Sequence, residues 1–295
     1  MSGPSPYVRR RWLGKEIRRL RDEHGYSSEQ LARAVGFARQ QLSALENGKR
    51  GPDIDLIEGI CVYLQVSAKR RGAIMAAATD GWATGWWMAD EARIGHRQAR
   101  YADLESGTKA ISEYRLALVP GLLQTADYAD ARMRSDPARQ SEAFDPVAAV
   151  AARTRRQKLL LSDAGPAYDL VLDESAVRYR AAEPSVVADQ LRHIVDLCVA
   201  HAGRISVRIL PSHPNIISYS APRSAYSIYR YADQQATQAV AVETLTMDLV
   251  LTEPDDVEAY RQLHSRLRAA SLEPAESVRI LTAVAEQISP SKGAR

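Results

Sequence analysis

Three glycines, at positions 25, 36 and 48, cut the front of the chain into segments too short for anything but small helices. Leu13, Ile17 and Leu20 recur at i, i+4 and i+7, which is one apolar helical face, and Gly25 stops that helix. Ser27 followed three residues later by Gln30 is a capping-box arrangement. It opens a second helix with Leu31 and Val35 inward, stopped by Gly36. The stretch ARQQLSALENGK (38–49) is a third helix, stopped by Gly48. Pro52 and Asp53 precede a fourth, with Ile57, Ile60, Cys61 and Leu64 on one face, and a fifth covers about Ala68 to Ala78. The spacing therefore predicts a compact all-α, five-helix domain over 9–78, with residues 1–8 expected to be a disordered tip.

The third helix shows what such a domain is for. Leu42 and Leu45 share one side, while Gln40, Ser43, Ala44 and Asn47 lie on the opposite side and Arg39 sits in the first turn. Glutamine can bond an adenine edge bidentately and arginine a guanine edge, in the major groove. Small neighbours such as Ser43 and Ala44 allow close approach. Two helices joined by a tight glycine-containing turn, the second reading the groove, is the helix-turn-helix plan. A helical hairpin with a wet outer face has the same spacing. Charge adds an argument: net charge is only +3, yet residues 1–80 hold 14 Lys and Arg against 9 Asp and Glu. A basic front suggests an anionic partner, although a solvated basic face gives the same count.

Beyond residue 78 the character changes. DGWATGWWMADEARIG brings Trp82, Trp86 and Trp87 together between glycines, and 79–100 reads as a Trp-rich linker or docking segment. Residues 101–290 are mixed. Helices are expected near 102–115, 125–134, 145–162, 185–201, 255–270 and 273–288, and strands at 168–173, 204–210, 225–230, 239–245 and 248–253. Strand 168–173, helix 185–201 and strand 204–210 form a βαβ unit with a parallel pair. The later strands follow closely enough to pair antiparallel. The expectation is an α+β domain with a mixed β-sheet.

The segment LGKEIRRLRDEHGYSSEQLARAVGFARQQLSALENGKRGP (13–52) resembles the lambda-repressor/Cro-like, or XRE, helix-turn-helix class. That resemblance implies base contacts by Arg39, Gln40 and Ala44, with Ser43 beside them. It implies phosphate contacts by Ser28, Asn47, Lys49 and Arg50, and an internal ion pair between Arg21 and Glu46. Two departures stand out. Ser28 replaces a frequent Gln, so a contact there would be shorter or missing. Ala38 replaces the usual Ser or Thr cap, worth about 1 kcal/mol.

A second resemblance runs through GWW (85–87), YADLESGTKAISEYRLALVPGLLQTADYADA (101–131), RTRRQKLL (153–160), QLRHIVDL (190–197) and ISVRILP (205–211). These segments look like the actinobacterial XRE-type regulators whose C-terminal half was long a domain of unknown function. Members are similar to antitoxin-like regulators and are often paired with a small partner protein. Within this half, Pro120-Gly121 suits a turn. The turn is expected to join a short apolar strand to a helix starting near Thr125. Gln124 either faces a pocket or holds the turn. Trp82, Trp86 and Trp87 line a ligand pocket or protein interface, or pack between domains. Arg153, Arg155, Arg156 and Lys158 form a basic cluster on a helix, which could meet DNA backbone or an acidic partner but is expected to be a solvated face.

Catalytic constellations are missing: the chain has no GxSxG, P-loop, HExxH or Gly-rich dinucleotide turn. His193, Cys198 and His201 share a helix without further zinc ligands nearby. Glu105 and Glu113 are expected to share a helix with no partner chemistry. No cofactor, no metal and no enzymatic activity are expected. Two cysteines in apolar helical contexts suggest no disulfide framework and fit a reducing cytoplasm. No apolar run approaches the roughly 18 residues of a membrane span, and the basic start lacks the apolar stretch of a secretory signal. The expected protein is a cytoplasmic, sequence-specific DNA-binding regulator, a homodimer on double-stranded DNA, with a small partner protein or small-molecule effector at its second domain. The rival reading is an antitoxin-like protein that chiefly binds a partner.

Overall fold

The computed structural model describes residues 5–49, 51, 53–80, 85–135, 143–216, 222–232, 238–244, 246 and 248–289. Five helices open the chain: α1 (Pro6–Glu23), α2 (Ser28–Ala34), α3 (Arg39–Glu46), α4 (Ile54–Tyr63) and α5 (Ala68–Asp80). The glycine stops act through backbone conformation. Gly25, Gly36 and Gly48 have φ of 72°, 76° and 62°, the left-handed region where a side chain is strained. Leu13, Ile17, Leu20, Leu31, Leu42, Leu45, Ile57 and Ile60 close one core among these helices.

The tip expected to be disordered is ordered from Ser5 onward. Ser5 caps α1 by accepting the Val8 N–H at 3.1 Å, and Pro6 occupies the first turn. Pro suits that position because its missing N–H would have no helical partner there. Val8 is buried, and it belongs to the core of the second unit, not the first.

Three short helices follow, α6 (Trp86–Ala89), α7 (Glu91–Ile94) and α8 (His96–Glu105). The helix expected near 102–115 ends at Glu105, and Thr108–Arg115 is strand β1. Gly107, at φ 71°, makes the break. β1 lies inside a six-stranded sheet ordered β3-β2-β1-β4-β5-β6, with β2 (Ala167–Asp173), β3 (Ile205–Leu210), β4 (Tyr226–Tyr231), β5 (Gln238–Val242) and β6 (Leu249–Leu251). β1, β2 and β3 run parallel, and β4, β5 and β6 pair antiparallel. The five expected strands are present, and β1 supplies a second parallel crossover through α9 (Ala126–Arg134) and α10 (Pro146–Leu161). The segment before Pro120 is not a strand: β1 ends at Arg115, and Val119 packs into the core outside any strand.

The remaining helices are α11 (Glu174–Arg178), α12 (Pro184–Ala200), α13 (Pro254–Ala270) and α14 (Pro274–Ile288). One sheet face, through Ile111, Leu170, Val207 and Tyr229, packs on α8, α12 and α14. The other, through Tyr114, Val171, Ile228 and Val240, packs on α13. The fold is an all-α helix-turn-helix unit followed by an α+β unit with a mixed sheet.

Candidate nucleic-acid interface

The turn between α2 and α3 is built by short-range hydrogen bonds. Ser27 N–H donates to Gln30 Oε1 at 2.8 Å, and Gln30 N–H to Ser27 Oγ at 3.2 Å, which completes the capping box. Phe37 N–H reaches back to the Ala32 carbonyl at 2.9 Å across Gly36. Ala38 caps α3 without a side-chain acceptor. Gln41 compensates in part, its Oε1 accepting the Ala38 N–H at 2.9 Å.

The buried side of α3 is Leu42, Leu45 and Glu46. Glu46 is 7% exposed and accepts from Arg21 at 2.6 and 3.1 Å, so the ion pair expected between α1 and α3 is present. This hydrogen bond raises the Arg21 pKa above its ordinary value. Arg18 adds a 3.6 Å contact to Glu46. Gly14 lets α1 and α3 cross closely: a Cβ there would stand 2.5 Å from the Leu45 carbonyl oxygen.

The opposite side of α3 is open. Arg39, Gln40 and Ser43 are exposed and Ala44 is half-buried. None of the Arg39 and Gln40 side chains is committed to another group among the described residues. The phosphate candidates are less uniform. Lys49 is exposed. Asn47 already holds the helix end, its Nδ2 donating to the Ser43 carbonyl at 2.7 Å and its Oδ1 accepting from Arg18 at 3.3 Å. Ser28 is half-buried, and its hydroxyl oxygen is shielded with no partner. Arg50 lies outside the described residues, as does Trp82.

The open face is held in place by α1, which belongs to both units. Its C-terminal half carries α3. Its first turn is pinned to Asp103 of α8, which accepts from the Ser5 hydroxyl and from Tyr7 N–H at 3.1 Å. Trp87 Nε1 donates to the same carboxylate at 3.3 Å. Lys15 bridges to Glu253 and Thr252, both at 2.6 Å. Arg100 stacks over the Tyr7 ring, 3.9 Å from its centre. The sequence reading missed Ser5 and Asp103 because a serine and an aspartate 98 residues apart carry no local pattern.

Of the second-unit candidates, Trp87 and Gln124 are buried, while Trp86 is half-buried. Trp86 meets Trp87 edge-on at 6.0 Å between ring centres. Gln124 is buried and holds the turn, donating to the Val119 carbonyl at 2.7 Å and accepting from Arg153 at 2.6 Å. The basic cluster on α10 is not simply a solvated face. Arg155 and Lys158 are exposed, but Arg156 is buried and grips Glu105 at 2.8 and 2.6 Å. Burial pushes the Arg153 guanidinium down to about 10. Glu105 and Glu113 do not share a helix, and both have partners. Glu113, on β1, is met by Arg115 at 2.8 Å, Ser227 at 2.6 Å and the Tyr168 hydroxyl. Burial pushes the Cys198 thiol up to about 11. Among the described residues no group of His, Cys, Asp and Glu side chains could hold a metal ion, and no helix is long and apolar enough to cross a membrane.

A helix-turn-helix unit carried by its first helix on an α+β domain defines a two-unit helix-turn-helix protein. A helix-turn-helix family matches residues 17–69, and the family described as "Domain of unknown function (DUF5753)" matches residues 98–283. The chain belongs to this latter family, which takes in most of its length. It is 36% identical over 58 residues to an uncharacterized HTH-type transcriptional regulator, y4dJ, of Sinorhizobium fredii, covering 20% of this chain and 75% of that protein. It is 40% identical over 55 residues to the antitoxin PezA of Streptococcus pneumoniae, covering 19% of this chain and 35% of that protein. The match thus spans about a third of the length of the antitoxin.

Proposed function

We propose that the chain is a sequence-specific DNA-binding transcriptional regulator, without enzymatic activity, working in the cytoplasm as a homodimer. The observation that carries this reading is the pairing of an open Arg39–Gln40–Ser43 face with a back anchored by Leu42, Leu45 and the Glu46–Arg21 pair. A helix fixed from behind can hold bidentate side chains in one register against base edges. The likeness to an HTH-type transcriptional regulator supports the same reading. Lys49 and Arg50 supply the phosphate contacts, a salt-dependent term, while Ser28 and Asn47 contribute less because of their internal settings. One such unit meets only a half-site, so the dimer reads half-sites about 34 Å apart or a multiple of that. The second unit supplies dimerisation and an effector or partner site.

Selection of bound fragments from genomic DNA by the purified chain, at two salt concentrations, tests the proposal. Enrichment of a two-fold-symmetric site supports it. Equal, salt-sensitive retention of all fragments contradicts it. The likeness to antitoxin PezA favours a second reading, in which a small partner protein is the main target and DNA binding is autoregulatory. Stoichiometric co-purification of such a partner, with little sequence preference on DNA, would favour that reading.

A further inference from the structure

Between α1 and the start of α13 lies a cleft of about 620 Å³. Its volume falls in the range of small-molecule sites, roughly 300–1,000 Å³. One wall is a single stripe of α1, Val8, Trp12, Lys15 and Arg19, spaced i, i+4, i+7 and i+11. The other wall is the β6–α13 junction and the first turns of α13, including Asp255, Val257, Glu258 and Arg261. The cleft therefore has one wall on the helix that carries α3 and the other on the α+β unit.

Its polar groups fall into two sets. Most are internally satisfied. Lys15 is taken by Glu253 at 2.6 Å, Arg19 by Glu23 at 3.1 Å and Glu16 at 3.5 Å, and Arg261 by Glu258 at 2.6 Å. Asp255 is different: it is exposed in the first turn of α13, where the helix end favours a negative charge, and among the described residues its carboxylate meets no side-chain partner. The half-buried indole of Trp12 likewise has no hydrogen bond or ring contact among the described residues, and it packs against the cores of both units. Val8 and Val257, both buried, line the same cleft. What the cleft offers a ligand is thus the flat apolar surface of Trp12 and, across from it, a carboxylate with no side-chain cation of its own. A cation over an indole face is also favourable in its own right.

We propose that this cleft binds a small organic cation with a flat apolar body, and that its occupancy alters DNA binding through α1. The second clause rests on the reading of the chain as a DNA-binding regulator; the first does not. Such a molecule would touch α1 and α13 together and compete with Lys15 for Glu253, so it would change how the two units are held. By linkage, any DNA-bound arrangement that differs there must change the cation's affinity in return.

The test uses three probes of similar shape on the full chain: 1-methylquinolinium, neutral naphthalene-1-methanol and anionic 1-naphthoate. Calorimetry should rank them cation, neutral, anion. Asp255→Asn, at an exposed position, should weaken the quinolinium severalfold and leave the neutral probe unchanged, with thermal melting showing that the variant folds. Naphthoate binding as tightly as the quinolinium, an unchanged quinolinium affinity in Asp255→Asn, or no quinolinium binding at millimolar concentration would overturn the site. DNA titrations with and without saturating quinolinium then test the coupling. A changed affinity for the selected DNA supports it, and an unchanged one overturns it. Calorimetric binding by a chain that selects no DNA sequence would sink the regulator reading and the coupling with it, and leave the site standing.

Discussion

The guanidinium of Arg21 on α1 grips both carboxylate oxygens of Glu46 on α3, at 2.6 and 3.1 Å, with Glu46 nearly sealed from water. The pair joins the helix that is anchored in the second unit to the helix that presents Arg39 and Gln40. Removing Glu46 strips Arg21 of two hydrogen bonds but leaves it Asp22 at 2.6 Å and the Tyr26 carbonyl at 3.0 Å. Glu46→Ala should therefore destabilise the helix-turn-helix unit by about 1–3 kcal/mol, the cost of lost hydrogen bonds to a charged group. Hydrogen exchange should show the loss as faster exchange across α3, with β1–β3 unaffected. Equal protection of α3 in the variant would mean that the leucines alone fix it.

Gly14 and Gly72 are both helical glycines, and the structure separates them. A Cβ on Gly14 would meet the Leu45 and Glu46 carbonyl oxygens at 2.5 and 2.6 Å, while a Cβ on Gly72 meets nothing within 4 Å. Gly14→Ala should cost about 1–3 kcal/mol, as overpacking does, and should weaken DNA binding by displacing α3. Gly72→Ala should stabilise by about 1 kcal/mol, the ordinary helical difference between the two residues. Paired thermal melts check both signs.

Asp103 gathers three donors, the Ser5 hydroxyl, Tyr7 N–H and Trp87 Nε1. Asp103→Ala leaves these without an acceptor, at about 1–3 kcal/mol for a stranded buried group. The first turn of α1 should loosen, so trypsin should cut within Arg9–Arg10–Arg11 faster than in the wild type. An unchanged cleavage rate there would show that Val8 and the Lys15 bridges suffice to dock α1.

Glu174 gives a pH signature. Its carboxylate accepts from the Ser212 hydroxyl at 2.7 Å and N–H at 2.9 Å, and from Arg178 at 2.7 Å. These bonds, the Ser212 hydroxyl's first, pull its pKa down to about 2. A folded-state pKa below the unfolded value, about 4.3, contributes stability above the unfolded pKa that is lost as pH falls toward the folded one. The stability difference between wild type and Glu174→Gln should thus be full near neutrality and shrink from about pH 5 toward pH 2. Urea melts across that range check it. A difference that grows on acidification would contradict the assignment.

The sequence revealed most where a local rule decides structure. Glycines at positive φ ended α1, α2 and α3, and apolar runs marked β2 through β6. β1 was hidden because Lys109, Ser112, Glu113 and Arg115 break the apolar alternation of a strand. Glu113 and Arg115 are nevertheless buried, because each is the other's partner and because Ser227 and Glu243 complete the cluster. Gly107 and the β-branched or aromatic types of Thr108, Ile111 and Tyr114 were the signal available for a strand, but their spacing by three fits a helix as well. Arg156 misled for the same reason: on a helical wheel it belongs to a charged face, and its partner Glu105 lies 51 residues earlier. The candidate reading face was legible because side-chain period alone sets it. Its anchorage through Ser5, Asp103 and Lys15 was not, since those contacts exist only once both units are folded.

The claim at the centre is that Gln40 on α3 reads a base edge. On the fragment selected by the wild type, every base pair would be substituted in turn, and binding by wild type and Gln40→Ala compared at fixed salt. The account predicts that the variant loses discrimination at one position in each half-site, by about 1–3 kcal/mol, and keeps it elsewhere. A uniform loss across all positions, or an unchanged profile, would contradict it.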